Sequence, residues 1–343
     1  MRVIRLPDPT VLLSYSAVGG KEESRSPLSS GFSHFSTDDR FGQKTWEKAE
    51  GEMGRLALNF ALDRLSLSPH DVSVLVAGDL QNQCVASSSG LYAFGIPYLG
   101  LYGACSTCTE ALLVASLYLS THKDATLAAT VTTSHNSAAE RQFRTPLEYG
   151  AQRTPSAQWT ATASGAFLLG KASEKMSDGA CALIRDVCVG KIIDGATTDA
   201  ANMGAAMAPA AADTLATYFS ETNTRPEDYD AIFTGDLGAV GSLFLHRLLH
   251  REGYDLGDIH LDCGMLLYDQ KMQDVHSGAS GCGCSASVLA AHVLPEMERG
   301  NLQNVLFLST GALMSPTSVQ QGENIFGIAP LIHLERSLEG GRV

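Results

Sequence analysis

The chain has 343 residues, 44% of them apolar, and a formal net charge of -13. This is enough apolar material for a substantial core, and the acidic balance without a basic stripe argues against nucleic acid as a partner. Apolar runs such as Ala111–Leu119 are shorter than the roughly 20 residues that cross a bilayer, and prolines follow the start where a signal peptide would stay apolar. We therefore expect a soluble, globular chain.

Residues 1–43 are interpreted as an N-terminal arm, because Lys21–Gln43 is polar, serine-rich and glycine-bearing. Such a stretch is typical of a surface arm or a partner-facing loop. The first half, residues 44–175, then shows apolar patterns that predict a helix, a strand, a helix and a strand. These predicted elements are Trp46–Leu65, Val72–Leu80, Gly103–Leu117 and Thr126–Ser134.

The second half, residues 176–343, repeats that order of elements. In both halves the first strand ends in Gly-Asp-Leu and a turn of small residues opens the second helix. The predicted elements are Met203–Phe219, Tyr229–Leu237, Gly281–Leu294 and Asn304–Ala312. Alternating strands and helices favour right-handed βαβ units with largely parallel sheets. We therefore predict an α/β protein of two pseudo-duplicated halves that form one compact pseudo-twofold unit.

Cys105 is the first candidate for a functional residue, because it lies at a predicted strand-to-helix turn. Free backbone N–H groups and the helix dipole favour an anion there and are expected to lower the pKa of a thiol. This environment suits either a nucleophilic thiolate or a bound carboxylate. The eight cysteines of the chain are expected to be reduced. The closely spaced pairs Cys105/Cys108 and Cys282/Cys284 could contribute ligands to a zinc site. Buried thiols that fill the core are the favoured interpretation.

Acyl transfer by Cys105 would need a proton acceptor and an oxyanion hole. Acyl-condensing enzymes of this architecture place a histidine after the first strand of the second half, where this chain has Asp236. They place histidine or asparagine at the second helix start, where this chain reads Gly-Cys-Gly-Cys up to Cys284. His135 and His276 are the nearest substitutes as a base. A structural role is favoured for His276 and both roles stay open for His135.

Arg141, Arg144 and Arg153 follow a predicted strand and lie beside the proposed pocket. A guanidinium fork matches a carboxylate, so two arginines could orient a dicarboxylate; ion pairs with Glu140 and Glu148 are the alternative.

Polar residues also follow the two Gly-Asp-Leu strands. Asp79 and Asp236 could orient cations or Cys105, and Asn82 and Gln83 could donate to a ligand. All four could equally cap the helices that follow.

Several sequence blocks resemble those of the stage V sporulation protein AD family. They include AGDLQNQ, GACSTC, TSHNSAAERQFRTPLEYGAQR, MGAAMAPAAADT and SGCGCSA, and the resemblance is collinear from about Trp46 to His333. It implies a thiolase-like fold, a layered α/β/α/β/α sandwich, without known condensing activity. Two departures are Cys108, where serine is usual, and residues 1–43, which match the family poorly.

The resemblance further implies non-enzymatic binding of pyridine-2,6-dicarboxylate (dipicolinic acid), as the acid or its calcium chelate, for uptake into the developing spore. The resemblance implies neither a cofactor nor a resident metal. It implies a homodimer that lies peripheral to the spore inner membrane, with membrane-embedded proteins of the same sporulation operon as partners. The matching blocks place these residues around the ligand: Asp79, Asn82, Cys105, His135, Arg141, Arg144, Asp236 and Cys284. The alternative is a thiolase-like acyltransferase with Cys105 as nucleophile and His135 as base.

Overall fold

The computed structural model describes residues 1–143, 153–173 and 181–337. Its centre is an 11-stranded sheet, to which two small sheets, β12–β6 and β14–β15–β9, are added. The strands are β1 (Val3–Gly19), β2 (His34–Phe35), β3 (Val74–Gly78), β4 (Tyr98–Gly100), β5 (Leu127–Ser134), β6 (Trp159–Thr160), β7 (Ala163–Lys171), β8 (Ala182–Cys188), β9 (Ile193–Asp194), β10 (Ala231–Thr234), β11 (His260–Asp262), β12 (Ala279–Ser280), β13 (Asn304–Leu308), β14 (Gly311–Leu313), β15 (Phe326–Ile328) and β16 (Leu331–Arg336).

The helices include the two predicted over Trp46–Leu65 and Met203–Phe219, which are confirmed as α1 and α5. No helix within the described ranges is both long and apolar enough to cross a membrane. The α-helices are α1 (Trp46–Asp63), α2 (Val85–Leu91), α3 (Thr107–Thr121), α4 (Asn136–Phe143), α5 (Met203–Thr222), α6 (Gly238–Arg251), α7 (Cys263–Leu267), α8 (Cys282–Val288), α9 (Leu294–Arg299) and α10 (Pro316–Gln320).

The two halves contribute the same strand order to the sheet. The first half together with β1 runs β4-β3-β5-β7-β1, the second half runs β11-β10-β13-β16-β8, and β1 pairs with β8 where the two sets of strands meet. The predicted duplication is therefore confirmed. The prediction of largely parallel sheets is wrong, because β7 and β16 run antiparallel to both of their neighbours. Their apolar sequences resemble those of buried parallel strands, so the pattern alone does not reveal strand direction.

Residues 1–43 do not form a separate arm, and that interpretation is corrected. β1 lies at the centre of the sheet between β7 and β8. Its pairing with β8 shifts register between Arg5 and Thr10, in the stretch that contains Pro7 and Pro9, so these prolines lie where a donor N–H is not needed. Further along, Glu23 is fully buried and accepts hydrogen bonds from the Thr162 N–H and the Tyr268 hydroxyl. The arm is therefore built into the fold.

The central helices α3 and α8 pack against strands of the large sheet and against each other. α3 contacts β3 and β5 of the first half and β16 of the second, and α8 contacts β5 and β7. Their buried side chains, including Leu112 and Val288, share one core with Phe307 of β13. α1 covers the other face of the first half, and α5 belongs to the core of the second. This arrangement brings the starts of α3 and α8 to the centre of the molecule.

Candidate functional site

The two halves meet crosswise at the starts of their central helices. The Thr109 hydroxyl, on the first turn of α3, donates to Ser309 Oγ after β13 at 2.8 Å, and the Ser309 N–H donates back to Thr109 Oγ1 at 3.0 Å. On the other side, the Gly283 N–H of α8 donates to Ser134 Oγ at the end of β5 at 3.2 Å. Each helix start is thus fixed to a strand end of the opposite half, and the turn before α3 faces the turn before α8.

Cys105 lies in the tight turn before α3. Ala104 precedes it with φ +52°, in the left-handed region that L side chains rarely adopt. Gly311 of β14 packs directly on this turn, since a Cβ atom there would lie 2.3 Å from the Gly103 carbonyl oxygen. The turn therefore holds Cys105 in a fixed, buried position, with 5% of its surface exposed.

The polar contact of the Cys105 thiol comes from the second half. Its Sγ lies 3.8 Å from Ser280 Oγ, and the Ser280 hydroxyl donates to Asp236 Oδ2 at 3.2 Å. Asp236 also accepts hydrogen bonds from the Gly281 N–H at 2.8 Å and from the Thr310 hydroxyl at 2.9 Å. Complete burial nevertheless raises the pKa of Asp236 to about 7, because the charged carboxylate loses its hydration.

Burial also sets the protonation state of the thiol. It raises the pKa of Cys105 well above its ordinary value, and the nearby Asp236 carboxyl raises it further. The expected lowering of the thiol pKa by the helix start is therefore wrong, since loss of hydration outweighs the helix dipole here. No histidine hydrogen-bonds to this thiol in the part of the chain that the structure describes. Cys105 is accordingly a neutral thiol at physiological pH.

An apolar cluster covers Cys105. Leu80, Ala139 and Cys282 are buried against it, and Phe143 at the end of α4 packs on the cluster while partly exposed. The Cys282 thiol donates to the carbonyl oxygen of Thr133 at 2.9 Å. The cover consists of apolar groups and thiols, so it offers a surface for an apolar ring but no acid or base.

Gln142 fixes helix α4 above this cluster. Its side-chain amide donates to the Leu80 carbonyl at 3.0 Å and accepts from the Asn82 N–H at 3.1 Å. Asn82 itself is exposed beside this contact.

The predicted residue Asp79 is buried and acts locally. Its carboxylate accepts from the Gln81 N–H at 2.7 Å and from the Ser87 N–H and hydroxyl at 2.7 and 2.6 Å. Burial raises the pKa of Asp79. Glu50 of α1 lies behind it and hydrogen-bonds with Gln81 Nε2 at 3.2 Å and the Thr133 hydroxyl at 3.3 Å. Burial and the Asp79 charge raise the pKa of Glu50 well above its ordinary value.

Three other predicted residues make their polar contacts with groups other than the Cys105 thiol. His135 Nε2 donates to the Asp39 carbonyl at 2.8 Å, its ring packs on Trp46, and burial lowers its pKa. The exposed Arg141 forms an ion pair with Glu47. Cys284 is buried in the main core, with its thiol 3.8 Å from the Gly235 carbonyl.

The remaining candidates are placed as follows. Arg144 and Glu148 lie outside the described residues. Arg153 forms an ion pair with Asp274 at 2.6 Å and stacks on Trp159. His276 binds the Thr154 carbonyl at 2.7 Å, which is a structural contact.

The zinc alternative gains no support from this geometry. All eight cysteines are buried free thiols. Within the described ranges, no three His, Cys, Asp or Glu side chains are grouped to hold a metal ion.

Sequence reasoning missed Ser280, Thr310, Cys282 and Glu50 as neighbours of the site. The available signal was position: Ser280 precedes Gly281, which has φ +103° and opens α8, and Thr310 follows shortly after β13. Glu50 gave no signal, because its helix pattern does not show that its side chain points inward to Asp79.

Comparison with known proteins identifies the family. A family model for stage V sporulation protein AD matches residues 1–335. The stage V sporulation protein AD of Bacillus subtilis (strain 168) is 41% identical over 329 residues, which cover 96% of this chain and 95% of that protein. The chain belongs to the stage V sporulation protein AD family. Membership in this family places it among the sporulation proteins.

Solved structures that resemble this family member are condensing enzymes of the thiolase-like fold. An acetyl-CoA acetyltransferase from Syntrophomonas wolfei matches with a TM-score of 0.61 and 11% identity, covering 96% of this chain and 100% of that one. A 3-oxoacyl-[acyl-carrier-protein] synthase III from Aquifex aeolicus VF5 matches with a TM-score of 0.56 and 12% identity, covering 94% and 99%. At these identities the likeness shows the fold alone, and the predicted thiolase-like fold is confirmed.

Proposed function

We propose that this protein binds pyridine-2,6-dicarboxylate, as the acid or its calcium chelate, for uptake into the developing spore, and that it performs no acyl transfer. The observation that carries the second part is the environment of Cys105. Its thiol is buried, has a raised pKa, and lies 3.8 Å from Ser280 Oγ, which in turn donates to Asp236. A nucleophilic thiol would have to ionise at this position, and burial together with the nearby Asp236 carboxyl raises the cost of forming a thiolate.

The proposed ligand site lies over the cluster that covers Cys105. A planar aromatic ring would pack on the partly exposed Phe143 and on the apolar side chains beneath it. Arg141 belongs to the same helix as Phe143, and among the described residues it forms an exposed ion pair with Glu47. Exchange of that carboxylate for a carboxylate of the ligand would cost little, because exposed ion pairs contribute little free energy. Arg144 follows directly in sequence and is the second proposed fork.

The protonation of the buried acids near the proposed site affects how it would accept a negatively charged ligand. Burial raises the pKa of Asp236 to about 7 and that of Glu50 well above its ordinary value, so both hold a proton more readily than exposed carboxyls do. A neutral acid does not repel a dianion and can donate a hydrogen bond to it. Calcium would reduce the remaining repulsion by neutralising the two carboxylates of the ligand. This reasoning supports binding of either the free acid or the chelate.

Calorimetric titration of the full-length protein with pyridine-2,6-dicarboxylate, with and without calcium, tests the proposal. Pyridine-2-carboxylate serves as the control ligand that lacks one carboxylate. Saturable binding with a clear preference for the dicarboxylate is expected, and weaker binding in Arg144→Ala and in Asp79→Ala. Equal affinity for the two ligands would contradict recognition of a dicarboxylate.

A second candidate function is acyl transfer, favoured by one observation. The left-handed Ala104 holds Cys105 in a strained turn, and strained backbone is frequent at active sites. This function would use Cys105 as nucleophile and His135 as base. Incubation with a coenzyme A thioester followed by intact mass measurement tests it, since an acyl adduct on Cys105 would support the enzyme and its absence the binder.

We also propose a homodimer and a place peripheral to the spore inner membrane, held there by membrane-embedded proteins of the same operon. For the dimer, β4 is an edge strand whose residues Tyr98 and Leu99 are exposed, with Tyr102 exposed shortly after it. An exposed apolar edge favours strand pairing with a second copy. Leu99→Lys should shift the mass measured by light scattering from dimer to monomer, and an unchanged mass would exclude this edge.

A further inference from the structure

Helix α6 presents an exposed face of mixed chemistry. Leu245 and Leu249 are buried in the core of the second half. On the other side Leu243 and Phe244 are 52% and 38% exposed, and Arg247 and Arg251 are also exposed. Residues three, four and eight positions apart share one side of a helix, so Leu243, Arg247 and Arg251 form a single stripe with Phe244 beside it. We call these four side chains the α6 face.

The two arginines of the α6 face differ from the other arginines in the described ranges. Each of the others contacts a carboxylate, a backbone carbonyl or an aromatic ring. Arg247 and Arg251 alone make no such contact with a described residue. This is notable in a chain of net charge -13, where carboxylates are abundant. α6 also contains no acidic residue among its 14 positions.

Resting on the proposed function, which gives this protein membrane-embedded partners, we infer that the α6 face is the surface that docks an acidic helix of such a partner. Exposed aromatic and aliphatic side chains next to arginine are the composition of interface centres. Arg247 and Arg251 are four residues apart, about 6 Å along the helix axis. They match two carboxylates that are one turn apart on an opposing helix, while Leu243 and Phe244 take up its apolar side chains.

A lipid surface fits the α6 face less well. Glu252 follows the last residue of α6, and Asp255 and Asp258 are exposed shortly after it. These carboxylates would face an anionic bilayer together with the arginines, and the protein as a whole is strongly acidic. A protein partner, unlike a bilayer, can place acidic groups opposite the two guanidinium groups and none opposite these carboxylates.

Binding to the membrane-embedded proteins of the operon, reconstituted in nanodiscs of zwitterionic lipid, tests the inference. We expect Arg247→Glu/Arg251→Glu to weaken binding at least tenfold, and Leu243→Ser/Phe244→Ser to weaken it similarly. The control Arg25→Glu/Arg299→Glu makes the same charge change at exposed positions elsewhere and should stay within twofold of wild type. Restoration of affinity by acidic-to-arginine changes in the partner helix would identify the pairing.

Equal affinity of the wild type and the α6 variants would overturn the inference, as would failure of the wild type to bind these proteins. Equal binding to protein-free anionic vesicles would overturn it in favour of lipid. Melting temperature and dicarboxylate titration of each variant verify the fold and separate this inference from ligand binding. An α6 variant that binds dicarboxylate normally but binds the partner weakly would support the α6 face as the docking surface. If the wild type binds the partner but does not bind dicarboxylate, only the proposed ligand is refuted.

Discussion

The hydroxyl of Ser280, from the second half of the chain, lies 3.8 Å from the thiol of Cys105, from the first half. Ser280 donates its proton to Asp236, a buried carboxyl that also hydrogen-bonds with the Cys105 thiol and whose pKa is raised to about 7 by burial. Burial raises the pKa of the Cys105 thiol well above its ordinary value, so the thiol keeps its proton at neutral pH. The meeting point of the two halves is thus arranged for packing and hydrogen bonding rather than for forming a thiolate.

The Cys105 thiol should resist alkylation in the folded protein. Burial raises its pKa well above the ordinary value, and alkylation requires an accessible thiolate. We expect iodoacetamide at pH 8 to modify Cys105 only after denaturation, as measured by peptide mass spectrometry. The other buried cysteines of the same sample are internal controls. Rapid and selective modification of Cys105 in the native protein would show an activated thiol.

Asp236 should make stability depend on pH. Its folded pKa of about 7 exceeds the ordinary value of 3.8, so the folded state holds its proton more tightly than the unfolded state. The resulting stabilisation is present at low pH and is lost as pH rises through about 7, by at most roughly 1.4 kcal/mol per pH unit. Relative to Asp236→Asn, the free energy of unfolding of the wild type should fall between about pH 4 and pH 7 and level off above pH 7 in denaturant titrations. Parallel curves for the two proteins would refute this.

The affinity for pyridine-2,6-dicarboxylate should depend on the ionisation of Asp236. Above pH 7 the Asp236 carboxylate repels a dianion, so affinity for free pyridine-2,6-dicarboxylate should decrease between pH 6 and pH 8, while Asp236→Asn stays nearly constant. The calcium chelate should show a smaller decrease because its carboxylates are neutralised. Calorimetry at three pH values measures these trends. A decrease of the same size in Asp236→Asn would assign the pH dependence to another group.

The contact between Glu23 and Tyr268 should be important for anchoring residues 1–43. The buried Glu23 carboxyl accepts from the Thr162 N–H at 2.9 Å, from the Gly20 N–H at 3.1 Å and from the Tyr268 hydroxyl. Glu23→Ala leaves these donors unpaired and should lower the free energy of unfolding by about 3 kcal/mol, whereas Tyr268→Phe should cost about 1 kcal/mol. Chemical denaturation measures both. A negligible effect of Glu23→Ala would mean that this segment is not held by the buried carboxyl.

Much of this fold was predictable because the chain repeats itself. The repeated Gly-Asp-Leu strands and small-residue helix starts predicted two matching halves, and the structure has the same strand order in both. β1 was missed because Pro7 and Pro9 interrupt its apolar pattern, although they fall where the register shifts. The antiparallel direction of β7 and β16 depends on the path of the connection that leads into each strand, and the pattern of apolar residues does not encode that path.

The position of Cys105 at a helix start was also predictable, but its chemistry was not. The helix dipole acts locally, whereas the burial that raises the thiol pKa comes from Leu80, Ala139 and Cys282, which are distant in sequence. The contact with Ser280 likewise depends on how the two halves dock. Local sequence rules therefore predicted the position of Cys105 correctly and the direction of its pKa shift wrongly.

Native mass spectrometry of the full-length protein, mixed with pyridine-2,6-dicarboxylate in one sample and with a coenzyme A thioester in another, tests the central claim most directly. The account predicts a noncovalent complex with one dicarboxylate per chain and no covalent mass increase from the thioester. An acyl adduct on Cys105 together with no dicarboxylate complex would contradict it and identify an acyltransferase.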